Sequence, residues 1–579
     1  MGMHENIVDT VKADVLVVGG GGAGCRAAIE AYDHGADVLM IVKGRLGHSG
    51  CTLNVGTTAG VGRWSVSGDS FFSAMRDLLA HGGYLGNQEM SKILVEETPE
   101  SITELENWGI DLEENQDGSV KVTHAAKHEY PRNITFKTAI PGQHDYGYPP
   151  GIAIMDVLIS QIRNRNIRVM DDVMLIDLIK SGGVIAGATG LDYLNGRLIV
   201  FKAKSTILAT GSFSQVFFTN SVSIQETGDG QAAAFRAGAD LIDMENTQFI
   251  PSVTGYLPNS VFFNVNGDKF LERYGITTLD GPVDKEALCY AVAKEIREGR
   301  GTKNGKVVID MTAAWRDGNI PSSILDRIEK NMRERGTPFP FLDGAKPFDP
   351  RTEIIETKPL AHTTTGGVLT NSQCETNIPG LYSAGSVSGG VYGHARPEGY
   401  TSMITVVFGK RAGAFSAESA KDIGEPILDD NEVQFYIDRA LVLARKSGSV
   451  NFVDLKHRIK ETMERCAWVI KDEATLRIGL EEIRKMIKDQ GDLASDSPYE
   501  SEIFEMDRWV TAIEVQNMLI CSEMMLTGSI ERKESRGAFF RDDYPEADND
   551  NWRKNIIYKQ VGGGIALEHN PVELRYCGF

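Results

Sequence analysis

The sequence predicts an α/β fold: a doubly wound parallel sheet, interrupted by an inserted α+β segment and followed by a helical domain. Three observations carry this expectation. Residues 14–20 (DVLVVGG) read as a buried strand, 21–35 as a helix ending at a glycine cap, and 36–43 (ADVLMIVK) as a second strand. Strand, glycine turn, helix and strand in that order make a βαβ unit, whose strands are parallel. The texture changes between 240 and about 350, where strand-like pieces, helical runs and a proline cluster at 338–350 replace the glycine-rich pattern. From 428 to 530 apolar residues recur at three- and four-residue spacing with few prolines or glycines, as in packed amphipathic helices.

The remaining elements follow in order. Strand candidates at 167–178, 184–192, 197–202 and 205–210, with SGG and NG turns between runs, predict a small meander returning to the main sheet. The inserted segment carries an Asn-Gly turn at 266–267 and helical runs at 284–298 and 322–335. Glycine-rich α/β character returns at 354–413, including GLYSAGSVSGG (380–390), and the tail after 531 is charged, with an acidic run at 544–551. The boundaries expected are 1–238 and 354–425 as two parts of one domain, 239–353 inserted between them, 426–530 helical and 531–579 a tail.

Composition excludes several classes. Sixty basic against 80 acidic residues give a net charge of −20 over 579 residues, so a phosphate backbone or an anionic membrane would repel the chain. Apolar content of 41% with 24% charged residues excludes disorder as the main state. Glycine is in excess, with 61 residues against a typical ~7%, as close backbone approaches to a cofactor require. No apolar run reaches the ~18–20 residues of a membrane span, and the N-terminus has neither a secretory pattern nor a twin arginine, so the expected location is the cytoplasm. The seven cysteines form no CxxC, which argues against a disulfide framework, a zinc site or an iron–sulfur cluster held by this chain alone.

Gly19, Gly21 and Gly24 form GxGxxG between the first strand and the helix. The first glycine permits the tight turn, the second lets backbone reach a pyrophosphate, and the third lets helix and strand pack closely. An acid that would bind the ribose is missing, because the second strand ends Ile41-Val42-Lys43. That absence disfavours NAD and allows FAD held by other segments. Ala209-Thr210-Gly211 and Tyr382-Ser383-Ala384-Gly385, both strand-to-turn sequences, supply such segments.

Taken with these, TGDGQAAAFRAGADLIDMENTQF (227–249), NGDKFLERY (266–274), HTTTGGV (362–368), GLYSAGSVSGGVYGHARPEGYTS (380–402), VVFGKRAG (406–413) and ESRGAFFRDDYPEADNDNW (534–552) occur in one order along nearly the whole chain. In these segments the chain resembles the succinate dehydrogenase/fumarate reductase flavoprotein-subunit family, which also includes L-aspartate oxidase. The resemblance implies an FAD-binding domain split by a capping domain and a C-terminal helical domain. It also implies that electrons are exchanged with an iron–sulfur protein subunit, through which any membrane association would come. The reaction it implies is hydride transfer between flavin and an activated C=C bond of an organic acid, with His362 and Arg396 as substrate-binding residues. The cofactor contacts it implies are Gly19, Gly21, Gly22, Ala23, Gly24, Lys43, Ser49, Gly50, Cys51, Thr52, Leu175, Thr210, Gly211, Asp229, Gly385, Ser386, Thr401 and Ser402.

The chain also departs from the family. Ile250 replaces the histidine of QFHPT, a threonine–glutamate pair has no counterpart in TGYLPNSVFFNVNG, and the catalytic arginine aligns with Lys285. Lysine can donate a proton but lacks the planar fork that grips a carboxylate. Each lost charge-assisted hydrogen bond is worth roughly 1.5–3 kcal/mol, so these changes predict a substrate other than fumarate, such as a monocarboxylate or a bulkier unsaturated acid. Tyr392 and His394 flank Arg396 and are candidates for replacement polar contacts. Cys51 stands where respiratory members attach FAD to histidine, which predicts non-covalent FAD, with a link through Cys51 or His48 as the alternative. Ser386 replaces an acidic residue facing the ribityl chain. Other readings left open are amine oxidation, sulfur-oxyanion reduction, and an FAD relay without substrate turnover.

Overall fold

The computed structural model describes residues 8–137, 150–251, 261–277, 283–318, 351–426, 428–446, 451–492 and 506–576, with short pieces at 329, 339–342 and 346–349. Its central sheet runs Arg168–Asp171, Val38–Val42, Val8–Val18, Arg197–Leu208, then Val184–Asp192 and Val173–Ser181, with Leu381–Ser383 also paired to Arg197–Leu208. The first four strands and Leu381–Ser383 are parallel; Val173–Ser181 and Val184–Asp192 form the antiparallel meander.

The first strand begins six residues before the apolar run seen in the sequence. Its centre, Val15 to Val17, is fully buried, while Val8–Ala13 pairs with Leu198–Ala203 at an exposed end. Polar residues there do not disturb pairing, so periodicity alone misses the extension. The run 167–178 divides at Asp172, where φ is +59°, into Arg168–Asp171 and Val173–Ser181. Conversely, the runs 197–202 and 205–210 are one continuous strand, Arg197–Leu208.

Val261–Phe263 and Val307–Asp310, from the segment expected to be inserted, form an antiparallel sheet with Ile355–Thr357, which lies just past its expected end at 353, beside a helix at Lys285–Glu295. Asp284 caps that helix by accepting from the Glu286 and Ala287 amides, which fixes Lys285 at its first turn. The helical run expected at 322–335 lies, apart from Glu329, outside the described residues.

Helices Phe452–Cys466, Glu473–Asp492 and Met506–Glu531 share an apolar cluster that includes Leu455, Ile459, Leu476, Ile483, Met518 and Met525. The stretch after 531 is not a solvated tail. Lys554–Val561 and Gly564–Pro571 form a hairpin whose first strand pairs with Leu241–Ile242, and Arg532, Glu534 and Arg541 are buried. The acidic run 544–551 does lie at the surface, but the buried charges Arg532, Glu534 and Arg541 are paired internally.

Lys471 is an exception among these buried charges. It is 1% exposed, its Nζ has no hydrogen-bond partner, and it lies 4.8 Å from the centroid of the Phe539 ring. Burial, reinforced by Arg541 and opposed by Glu245, pushes its pKa down to about 7. Below that pH the folded chain must bury the charge. Above it, up to the free lysine value of ~10.4, the unfolded chain holds a proton that the folded chain has released, so stability rises with pH. Lys471→Met is therefore expected to stabilise the protein by about 2 kcal/mol near pH 7, with the gap closing towards pH 10. Denaturant titrations at the two pH values check this; a less stable variant at pH 7 contradicts it.

Candidate active site

Gly19 sits at the end of the first strand with φ of +120°, and a Cβ there would lie 2.2 Å from the Ala209 carbonyl oxygen. A Cβ on Gly24 would lie 2.0 Å from the Gly19 carbonyl oxygen, so both positions exclude a side chain. The helix that follows, Gly22–Asp33, begins at Gly21 with no side-chain cap and no acid in its first turn. Its amide end is open to an anion, and only the Gly22 amide is engaged locally, donating to Thr52 Oγ1 at 3.1 Å.

This helix end opens onto a cleft enclosing about 960 Å³. Every cofactor residue expected from the sequence lines it except Gly24 and Ser402. Gly24 serves the strand–helix contact instead. Ser402 donates to the Gly399 carbonyl and shares a hydrogen bond with Thr58, pinning the start of helix Tyr400–Asp422. The buried Thr210 Oγ1, which lines the cleft, has no partner within the protein. An uncapped helix end, closely approached glycine backbone and an orphaned hydroxyl fit the pyrophosphate and hydroxyl-bearing chain of FAD.

Lys43 lines the same cleft, but its ammonium is committed elsewhere. It meets Asp229 Oδ2 at 2.8 Å and Glu514 Oε1 at 2.8 Å, and donates to Thr227 Oγ1 at 2.7 Å. Burial opposes the charge, yet the two carboxylates outweigh it and hold the Lys43 pKa above its ordinary value. Glu514 comes from the helical region, so no local motif announces this triad.

A second cleft, enclosing about 900 Å³, adjoins the first: Cys51, Glu226, Ser386 and Thr401 line both. It brings together Lys285, His362 and Arg396, the three residues expected to act on substrate, with Ile250 in its wall. Arg396 Nε donates to Gln248 Oε1 at 3.0 Å. Gln248 Nε2 in turn donates to the Arg396 carbonyl at 3.1 Å and to Glu286 Oε1 at 2.5 Å. Among the described residues no carboxylate lies within ion-pair distance of the Arg396 guanidinium, and burial lowers its pKa from the ordinary value. His362 Nδ1 lies 2.8 Å from Ser221 Oγ. Burial, then Arg396 and Lys285, drive the His362 pKa well down, so the ring is neutral at physiological pH. Lys285 Nζ meets Glu398 Oε2 at 2.7 Å.

Two residues flanking Arg396 do not reach this cleft. Tyr392 lines a smaller adjoining cavity with Ser386, Arg396 and Thr401. His394 is fully buried with Nε2 at 3.3 Å from Glu245 Oε1, and burial pushes its pKa down to about 4. The irregular loop that carries Arg396 packs the His394 ring into the core beside Glu245 and Phe539.

Two lining carboxylates are not announced by the sequence patterns. Glu226 Oε2 accepts from the Ser212 amide at 3.1 Å and its hydroxyl at 2.6 Å; its one signal is that it directly precedes TGDG. Glu398 is the additional charge between Arg396 and Gly399, two residues from the expected substrate arginine.

Comparison with known proteins agrees with this geometry. A family model described as an FAD binding domain matches residues 14–402, and one described as the fumarate reductase flavoprotein C-terminus matches 456–577. The chain is 30% identical over 569 residues to a subunit of the fumarate reductase (CoM/CoB) of Methanothermobacter marburgensis, covering 94% of this chain and 97% of that one. It is 27% identical to the succinate dehydrogenase flavoprotein subunit of Rickettsia bellii, covering 97% and 96%. The structure of an E. coli quinol fumarate reductase superposes with a TM-score of 0.83 at 25% identity, covering 98% of this chain and 97% of that one. The chain is an FAD-dependent oxidoreductase and belongs to the fumarate reductase/succinate dehydrogenase flavoprotein family.

Proposed function

We propose that this chain is the catalytic flavoprotein subunit of a complex that moves a hydride between FAD and an activated C=C bond of an organic acid, exchanging electrons with a separate iron–sulfur subunit. The observation that carries the reading is Arg396, a guanidinium without a carboxylate partner among the described residues, in a cleft that shares a wall with the cofactor cleft. Enclosing such a cation is costly unless an anion joins it, and a substrate carboxylate matches its two-pronged geometry.

The bound flavin supplies hydride chemistry; the chain supplies the rest. The open end of helix Gly22–Asp33, with Thr52 and Thr210 beside it, would hold the cofactor. Gln248 orients Arg396 from one side, leaving its terminal nitrogens for a carboxylate. His362, neutral and steadied by Ser221, offers a hydrogen bond without adding charge. Lys285 holds a proton at Nζ against Glu398, from which it can protonate the carbon next to the one receiving hydride. Ile250 and Lys285, from the segment expected to cap the cofactor domain, line this cleft. The electron partner in this reading is supported by the relatives named above, whose names are those of subunits.

A viologen-linked assay under anaerobic conditions tests this reading, with oxidation of reduced viologen expected only when an α,β-unsaturated acid is present. Viologen oxidation by none of a panel of such acids contradicts it.

In this reading FAD is held without a covalent bond to Cys51. Burial and the neighbouring Glu226 push the Cys51 thiol well above its ordinary pKa, so the thiolate that would attack the flavin is scarce. Acid precipitation is expected to leave the flavin in the supernatant; a yellow pellet contradicts this.

A further inference from the structure

We infer that the substrate cleft is built for a monocarboxylate, a 2-enoic acid whose far end is uncharged, and discriminates against dicarboxylates. The inference rests on the reading above, that this cleft takes an organic acid, and goes further by naming its charge.

Charge balance in the cleft sets this preference. Among the described residues, two cations line the cleft, Arg396 and Lys285, and two carboxylates line it with them, Glu226 and Glu398. Lys285 is matched by Glu398 at 2.7 Å. Turning its ammonium towards a substrate would leave Glu398 unpaired in the same cleft, so the sum would not change. His362 is neutral and adds no charge. Arg396 is therefore the one cation of this lining without an ion-pair partner among the described residues, and since Glu226 already brings the formal sum to zero, a second carboxylate on the ligand would be unmatched.

A second carboxylate finds no countercharge among the described residues of the cleft. The rest of the described wall carries neutral polar side chains, Asn54, Thr57, Thr363 and Thr401 among them, which offer hydrogen bonds but no charge; Ile250, Val55 and Pro397, whose side chains offer neither; and Glu226, which repels. Glu226 cannot swing aside, because the Ser212 amide and hydroxyl hold one of its oxygens at 3.1 and 2.6 Å. Moving a carboxylate from water into such a site without a countercharge is strongly unfavourable. Ile250 favours the opposite, an apolar substituent released from water.

Crotonate and fumarate test this directly, since they share the trans C=C–carboxylate and differ in carrying a methyl or a second carboxylate. Each is titrated into the oxidised FAD-loaded protein at fixed ionic strength, with binding read by calorimetry and by the change in flavin absorbance. Crotonate is expected to bind at least about tenfold more tightly than fumarate, a difference of about 1.4 kcal/mol. Glu398→Gln, which frees Lys285, and Ile250→Lys, which adds a cation to the wall, are each expected to raise the fumarate-to-crotonate affinity ratio about tenfold or more. The comparison in the unaltered protein stands even if a variant fails to fold. Equal or tighter binding of fumarate, or a ratio that neither folded variant moves, overturns the inference while leaving the organic-acid reading intact. Binding of neither acid overturns both.

Discussion

Arg396→Gln is expected to lower kcat/KM for the acid substrate by roughly 10²–10⁴-fold, with FAD content at the level of the unaltered protein. The size follows from two charge-assisted hydrogen bonds between guanidinium and carboxylate, each worth ~1.5–3 kcal/mol. Retention of FAD follows from position, because Arg396 lines the second cleft and not the first. Arg396→Lys restores the charge but neither the fork nor the Nε contact to Gln248, so it should recover only part of the loss. If the glutamine variant bound acid and turned over normally, the carboxylate would be held elsewhere, and Lys285 would be the cation to examine.

The largest effect on stability is expected at a residue far from chemistry. Arg532 is completely buried, meeting Glu245 Oε1 at 2.8 Å, Glu534 Oε1 at 3.0 Å and the Lys554 carbonyl at 3.0 Å. Asp243, Glu245 and His394 place ligand-type atoms within 4.8 Å of one another, and Arg532 is the cation that already neutralises this group. Burial alone would raise the Glu245 pKa, but Arg532 overrides it and holds it down to about 2. Asp243 is pushed up to about 7 by burial and by Glu245 beside it. Arg532→Leu leaves these carboxylates without their countercharge and should cost about 3–5 kcal/mol at neutral pH.

The pH dependence has a definite sign. In the variant, Glu245 loses the partner that favours its charged form, so its folded pKa rises above the unfolded value and stability falls as pH rises through the carboxylate range. The deficit should therefore be larger at pH 7.5 than at pH 5. Denaturant titrations at both pH values check it; a deficit independent of pH would mean that lost packing, and not charge, sets the cost.

Legibility from the sequence followed how local each feature is. The βαβ start, the glycine fingerprint and the Arg396 segment were readable because each is a short stretch whose spacing has one physical reading. The cleft shared by Lys285, His362 and Arg396 was reached through resemblance, since no periodicity links residues from the inserted helix, a strand and a loop. Lys43 shows what spacing cannot give: its partner Glu514 lies on a distant helix, so a residue that looked like a cofactor contact also anchors two parts of the fold. His394 shows the opposite error, a polar neighbour of a functional residue that an irregular loop packs into the core against Glu245 and Phe539. The stretch after 531 misled because net charge says nothing about pairing, and Arg532, Glu534 and Arg541 satisfy one another or nearby backbone. Glu226 and Glu398 were missed because an acid in a polar segment looks solvated until the fold shows what it faces.

The central claim is that this chain reduces an activated C=C bond at the cleft beside its flavin, and a single turnover tests it most directly. The FAD-loaded protein is reduced with dithionite in D₂O without oxygen, freed of excess reductant, and mixed with crotonate and with fumarate in separate samples while the flavin band is followed. The account predicts that crotonate reoxidises the flavin, yielding one saturated acid per flavin with deuterium at both carbons of the former double bond, one from the solvent-exchanged flavin hydrogen and one from the transferred proton. A flavin that stays reduced with both acids, and with every other unsaturated acid offered, would contradict it.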